Sequence, residues 1–328
     1  MTPREETGRL RTVTGTIATS DITGPVLSHE HLQLDLRWSG RPAMVDSDPY
    51  RWLDDEKAVI KELSRLRAER GLGLVVDLTC SGMGRNAAAL ARISAGARVA
   101  VIAGTGTFTE PFHGSAVREA LAGAPGTASA VERIAERLLA ETGFGLDGTN
   151  ALPGVIGEIG AWGDAPTEAE ELCLRAAARA SRYCGLSVAT YGRAGLAQLE
   201  ILTAAGLAPD RVAVGQQDLV DDPGQHRKIA ETGAYVSFGS SVLAGEDHAA
   251  IGARVRGVMD LLEAGHGDRV LLSSGVSRMA QIVRNGGGGF GHLFDTLLPA
   301  LRAAGADDAT LDGILRDNPL RWLTAAAA

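Results

Sequence analysis

Short aliphatic runs recur along the chain at 25–31, 73–79, 98–104, 154–160, 186–190, 211–216, 234–239 and 269–275, each apolar nearly throughout. Runs of this kind predict strands buried on both faces of a parallel sheet, because a half-exposed strand alternates polar with apolar positions. Longer Ala-, Leu- and Arg-rich stretches with helical spacing separate them. Pro166-Thr167, with Glu170 three residues after the threonine, is a capping box, and a helix is expected from there to about Cys184. Asp54-Asp55 opens another helix that ends near Arg70-Gly71, and 128–141, 195–205 and 246–263 read the same way. Eight strands alternating with eight helices are the pattern of a (β/α)8 TIM barrel, an α/β fold whose active site lies at the C-terminal ends of the strands. A doubly wound open sheet would carry a Gly-rich phosphate loop after its first strand, and none is present. The glycine run 286–289 follows the eighth strand, where barrels often bind phosphate; without an accompanying lysine or serine it reads as a flexible loop.

A chain of 328 residues suits one such barrel, so a single domain over 1–328 is expected. Its net charge of −8 is made of interspersed acidic and basic residues. That leaves no basic stripe for nucleic acid or an anionic membrane, and points to a small-molecule partner. No signal-peptide core opens the chain and no apolar stretch reaches the roughly 18 residues of a membrane span, so a cytoplasmic protein is expected. Cys80, Cys173 and Cys184 have no metal-finger spacing. The latter two, on one helix, are separated by roughly 16 Å at about 1.5 Å per residue, beyond disulfide reach. All three are expected to be buried, reduced thiols.

The densest chemistry is His29-Glu30-His31, closing the first strand. Side chains alternate along a strand, so His29 and His31 share a side and Glu30 points the other way. Glu158, among glycines at the end of the fourth strand, is a carboxylate too costly to bury alone. Two histidines and this glutamate would make a three-ligand site for one zinc or another divalent ion, with a position open for water. A buried ion pair and ordinary core histidines are the alternative reading. Further groups fall near the predicted mouth: Cys80 and Arg85 after the second strand, His113 after the third, Trp162 after the fourth, Tyr191 and Arg193 after the fifth, Gln216 at the sixth, His248 after the seventh and Arg278 after the eighth. Of these, Tyr191 is the best placed acid or base. Arg278 is the best placed anion clamp, since its fork matches carboxylate or phosphate. His266 precedes the eighth strand and reads as structural.

Several stretches, taken together, resemble the phosphotriesterase family of the amidohydrolase superfamily over about 15 to 323. They are Gly24-Pro25-Val26-Leu27-Ser28-His29-Glu30-His31, Val76-Asp77-Leu78-Thr79 with Gly84-Arg85-Asn86, 154–160, 195–202, 265–273 and Asp317-Asn318-Pro319. The resemblance implies a (β/α)8 barrel with two divalent metals at the strand ends, which activate hydroxide against phosphotriesters, lactones or related esters, and it suggests a homodimer. This sequence departs from the pattern where the chemistry is done. Ala189-Thr190 stands where the family has histidine-threonine on the fifth strand, Gly215-Gln216 where it has glycine-histidine, and Gly275 where it has the aspartate that binds metal and takes a proton from water. Phe238-Gly239 alters a phenylalanine-aspartate, and Gly288 and Gly291 replace a histidine and an aspartate, leaving His292. Glycine and alanine offer no ligand and glutamine only a weak one, so the second metal is expected to be lost. One reading is a divergent hydrolase with at most one metal, acting on an ester, lactone or phosphoester. Another is a metal-independent lyase, isomerase or cyclase in which His29, His31, Glu158 or Tyr191 moves protons. A third is a non-catalytic barrel that binds a small molecule.

Overall fold

The computed structural model describes residues 8–45, 51–123, 126–239 and 248–324, the side chains at 248 and 249 excepted. Eight strands form one sheet in chain order: β1 (Val26–Glu30), β2 (Leu74–Asp77), β3 (Ala100–Thr105), β4 (Val155–Gly160), β5 (Val188–Tyr191), β6 (Val212–Val214), β7 (Tyr235–Phe238) and β8 (Val270–Leu272). Every neighbouring pair is parallel, as the apolar runs predicted. The helices Glu56–Arg70, Thr127–Phe144, Glu168–Cys184, Gly195–Ala204 and His248–Glu263 lie close to the expected spans. Thr167 and Glu170 form the predicted capping box, and Asp55 caps the first of these helices by accepting from the Ala58 amide. An antiparallel hairpin, Arg9–Thr12 with Gly15–Ala18, precedes the barrel and was not read from the sequence.

Two apolar layers hold the barrel. Leu27, Val75, Val101, Ile156, Val188, Val214, Val236 and Leu272 face outward under the helices. Val26, Leu74, Val76, Ile102, Val155, Ala189, Ala213, Tyr235 and Leu271 fill the interior, together with Leu10 of the hairpin and Trp322 and Leu323 of the last helix. Alternation from one layer to the other follows the period of the strand.

Alternation alone would send the functional residues the wrong way. Leu27 faces outward, so an unbroken strand would turn His29 and His31 outward as well. Between Leu27↔Val75 and Glu30↔Asp77 the register slips, placing two β1 residues, Ser28 and His29, opposite one of β2. The same two-against-one arrangement recurs between Ile156↔Val188 and Ile159↔Thr190, where Gly157 and Glu158 oppose Ala189. Each bulge shifts the later residues by one place and so exchanges the faces of the strand. His29, His31 and Glu158 thereby turn inward, while Glu30 and Ile159 turn out.

No ladder joins β1 to β8. Side chains bridge that seam instead. Ser28 Oγ donates to the Leu272 carbonyl at 3.1 Å, and the His31 amide donates to the Val276 carbonyl at 3.1 Å. The fully buried Glu30 accepts from Ser273 Oγ (2.6 Å) and from the amides of Ser274 (2.8 Å), Gly275 (3.0 Å) and Val276 (2.8 Å). Its burial raises the carboxyl to about 7 against the pull of these donors. Asp77 similarly accepts from the amides of Leu32 (2.6 Å) and Thr79 (3.0 Å), fixing the chain just after His31.

The glycine run is neither a flexible loop nor an open phosphate cradle. The amides of Val283 and Phe290 donate to the Glu62 carboxylate at 2.7 and 3.1 Å, so an internal anion fills the turn. Side chains there would collide: a Cβ on Gly287 would lie 2.0 Å from the Gln281 carbonyl oxygen and one on Gly289 2.1 Å from Glu62 Oε2. The thiols are free, with Cys80 and Cys173 buried; Cys184, expected to be buried, is half-exposed at the end of its helix. Among the described residues no helix is long and apolar enough to cross a membrane.

The β4 bulge depends on Gly157, whose φ is +151° and whose added Cβ would lie 2.7 Å from the Ala189 carbonyl oxygen and 2.8 Å from its Cβ. Gly157→Ala is therefore expected to cost about 2–4 kcal/mol in urea denaturation, by forcing a crowded core and an unfavourable backbone. Gly148→Ala, at a similarly left-handed glycine with open space around it, is expected to cost only about 1 kcal/mol.

Candidate active site

The two bulges bring three donors together at the C-terminal mouth of the barrel. His29 Nε2 lies 2.6 Å from Glu158 Oε2, and His31 Nε2 lies 3.9 Å from Oε1. All three side chains are buried, and one ligand atom from each falls within 4.8 Å of the others. The His31 ring meets that of His29 edge-on at 5.6 Å. His31 Nδ1 lies 3.0 Å from Thr79 Oγ1; donating there would leave the Nε2 lone pair facing Glu158. Burial lowers His31 to about 4 despite the Glu158 charge, which keeps the imidazole neutral. Burial also opposes charge on His29, but the adjoining Glu158 carboxylate outweighs it and raises this imidazole above its ordinary value.

Glu158 Oε2 has no aligned hydrogen-bond donor in spite of its short contact with His29. A buried carboxylate oxygen facing imidazole needs a cation: at 2.6 Å the His29 contact has the span of a shared proton, and a zinc about 2.0 Å from each atom would require the two to part to roughly 3.3 Å. The donor set, two imidazoles and a carboxylate, fits zinc or another divalent ion, and Thr79 supplies the orienting contact such ligands need.

These residues border a cavity of about 150 Å³ that also touches Arg51, Phe108, Tyr191, Gln216, Ser277 and Arg278, with Leu34, Leu36, Met83 and Leu219 as apolar wall. Gly239 and Gly275 line it with backbone alone. On β5 the residue that enters the cavity is Tyr191; Ala189 is spent inside the barrel and Thr190 Oγ1 accepts from the Gly215 amide. A side chain at position 215 would meet the Thr190 carbonyl oxygen at 2.0 Å.

Other expected contacts lie outside this lining. Arg85 is buried in an ion cluster, its fork donating to Glu141 (2.8 and 2.9 Å) and Asp147 (2.8–3.2 Å) and to the Gly104 carbonyl. Burial pulls its guanidinium down, but these two carboxylates overcompensate and hold it above its ordinary value. Cys80 donates to the Glu158 carbonyl at 3.0 Å, and burial raises its thiol well above the usual range, so it supports the strand end as an inert group. Trp162 stands one layer back, behind Arg51 and Tyr191. His248 begins a helix, and its side chain lies outside the described residues. Arg51 and Ser277 were missed from the sequence, because neither sits at a strand end and no local pattern marks loop residues that fold back over the mouth. A larger open groove of about 630 Å³ runs over the outer helices, but its Arg182 and Arg211 are spent on helix-end carbonyls and its Arg179 on Glu132.

The Phosphotriesterase family profile matches residues 8–323, nearly the whole chain. The protein belongs to the phosphotriesterase family. Within that family it is 32% identical to the phosphotriesterase homology protein of Escherichia coli over 92% of this chain and 98% of that one. The crystal structure of that bacterial relative, with phosphate in its active site, superposes with a TM-score of 0.81 over 92% of this chain and 99% of the other, at 30% identity. The N-acetyltaurine hydrolase of Danio rerio is 28% identical over 97% of this chain and 98% of its own. A mutant organophosphorus hydrolase of Deinococcus radiodurans superposes with a TM-score of 0.78 at 29% identity, over 96% of this chain and 97% of that one. As a phosphotriesterase-family member the chain is a hydrolase-lineage (β/α)8 barrel, as its sequence led one to expect.

His113, read as a mouth residue, is 3% exposed and packs its Nε2 3.8 Å from Cys173 Sγ, outside the cavity lining. Burial lowers it from 6.5 to about 4. The unfolded chain therefore takes up a proton below about pH 6.5 that the folded protein refuses until about pH 4, so this contribution is intact above 6.5 and lost as pH falls toward 4. His113→Gln is expected to flatten the loss of stability between pH 6.5 and 4 by about 3 kcal/mol, at about 1.4 kcal/mol per pKa unit, measured by urea denaturation across that range.

Proposed function

We propose that this protein is a small-molecule hydrolase with at most one divalent metal, held by His29, His31 and Glu158, and that it cleaves a compact ester, lactone, phosphoester or amide. The observation that carries this reading is the composition of the cavity: among the described residues Glu158 is its one carboxylate and His29 and His31 its imidazoles, while Tyr191 ends a neighbouring strand and Gln216 and Gly275 follow two others. Among the described residues one centre therefore has a three-ligand set and no second such group accompanies it. A bound zinc would polarise the scissile oxygen and acidify a water molecule. The chain's own groups would orient the substrate: Arg51 and Arg278 border the cavity, suited to an anionic substituent, and the leucines and Phe108 give it an apolar wall. The phosphate held by the Escherichia coli relative and the sulfonate that N-acetyltaurine carries agree with an anionic substrate.

A metal-independent enzyme is the second reading, favoured by the 2.6 Å contact between His29 and Glu158, which is the span of a shared proton and shorter than the roughly 3.3 Å between two ligands of a tetrahedral zinc. A panel of N-acetyltaurine, short N-acyl amino acids, γ-lactones, aryl acetates and aryl phosphates separates the two. Turnover that falls at least a hundredfold on chelation, returns with zinc and is absent from His29→Ala/His31→Ala is the expected outcome. Turnover unchanged by chelation would overturn the metal-dependent reading in favour of the metal-independent one.

A further inference from the structure

The phenol of Tyr191 is clamped by groups that leave its own hydrogen unspent. Both terminal nitrogens of Arg51 donate to Tyr191 Oη at 3.3 Å. That guanidinium lies 5.3 Å over the Trp162 ring, and the indole in turn stacks on the tyrosine with centroids 6.2 Å apart and planes at 18°. Phe108 packs edge-on against the other side at 4.8 Å. A phenol oxygen that accepts from a cation still has one O–H to donate. Among the described residues no acceptor takes it. Tyr191 borders the same cavity as His29, His31 and Glu158.

We propose that Tyr191 is the hydrogen-bond donor to the substrate oxygen on which negative charge gathers, and that Arg51 is the positioning residue that fixes its direction. The identity of that oxygen, carbonyl or phosphoryl, rests on the hydrolase reading; the donor assignment does not. The arrangement disfavours Tyr191 as a base. A base would offer its lone pairs to the substrate, and here Arg51 occupies them. Burial also raises the phenol, which keeps its hydrogen in place. Aromatic rings on both sides prevent the hydroxyl from swinging away, so the donor is preorganised toward the cavity, the condition under which one such donor is worth most. A Tyr191 donor also accounts for a strand end without a metal ligand: a neutral donor backed by a guanidinium supplies positive potential where a metal would otherwise sit.

Inorganic phosphate, a tetrahedral oxyanion, is the probe. The full chain as purified, labelled with tyrosine carrying carbon-13 at Cζ, shows one resonance for each of its four tyrosines, and Tyr191→Phe assigns the relevant one. Phosphate is expected to move the Tyr191 resonance with the same midpoint that calorimetry gives for binding, and Tyr191→Phe to weaken phosphate about tenfold or more, as for a lost hydrogen bond to a charged group. Arg51→Met is expected to shift that resonance in the free protein and to reduce its response to phosphate by more than half, with Tyr183 and Tyr235 unmoved; Arg51→Lys is expected to restore part of the response. Phosphate that fails to bind, that leaves the resonance unmoved, or that binds Tyr191→Phe within twofold of the parent overturns the proposal. Should Arg51→Met not fold, the Tyr191→Phe affinity alone decides. Turnover enters none of these readings, so a failed hydrolase assignment shows separately, in the substrate panel.

Discussion

Two extra residues, one in β1 and one in β4, determine what this barrel can do. A strand has only two faces, so a single inserted residue exchanges the destinations of everything after it. Leu27 and Ile156 face the helices, yet His29 and Glu158, two residues further along, face the interior. The bulges lie opposite β2 and β5, so the histidine pair and the carboxylate enter from different sides of the mouth and meet at 2.6 Å. Without either one, a charged or imidazole side chain would be forced under the helices, unpaired and at high cost.

The same inversion explains the scaffold beside the site. With His29 and His31 turned inward, Glu30 is turned toward the seam between β1 and β8, where no ladder exists and its carboxylate collects one hydroxyl and three amide donors. One of those amides belongs to Gly275, so this position serves the seam through its backbone while offering no ligand to the cavity. Glu62 does comparable work in the loop after β8, and Asp77 after β1. The mouth is thus flanked by buried carboxylates that accept backbone amides, whereas Glu158 faces the imidazoles of His29 and His31.

Much of this was legible in the sequence. Apolar runs with helical stretches between them are a direct consequence of a parallel sheet covered on its outer face, and they give the order and number of the strands. The pairing of His29 with His31 against Glu30 also follows from alternation, and Glu158 from the cost of a lone buried carboxylate. What could not be read is which way each set points, because a bulge is a relation between two strands and neither strand records it alone. Arg85 illustrates a second gap. An arginine after a barrel strand suits a substrate clamp, but Glu141 and Asp147, more than 50 positions away, neutralise it. Arg51 is the converse: nothing around it in sequence suggests a site, yet it reaches Tyr191 across 140 positions. At the fifth strand, loss of a histidine was attributed to Ala189-Thr190, while the side chain that enters the cavity is that of Tyr191.

The metal-dependent hydrolase reading depends on His29, His31 and Glu158 forming one complete centre with no second centre beside it. Calorimetric titration of zinc into chelator-stripped protein reads this directly. One tight equivalent per chain, abolished in Glu158→Ala, is the expected result. Two tight equivalents would mean that side chains beyond these three complete another site, and none would mean that the short His29–Glu158 contact is held by a proton; either contradicts a single three-ligand metal centre.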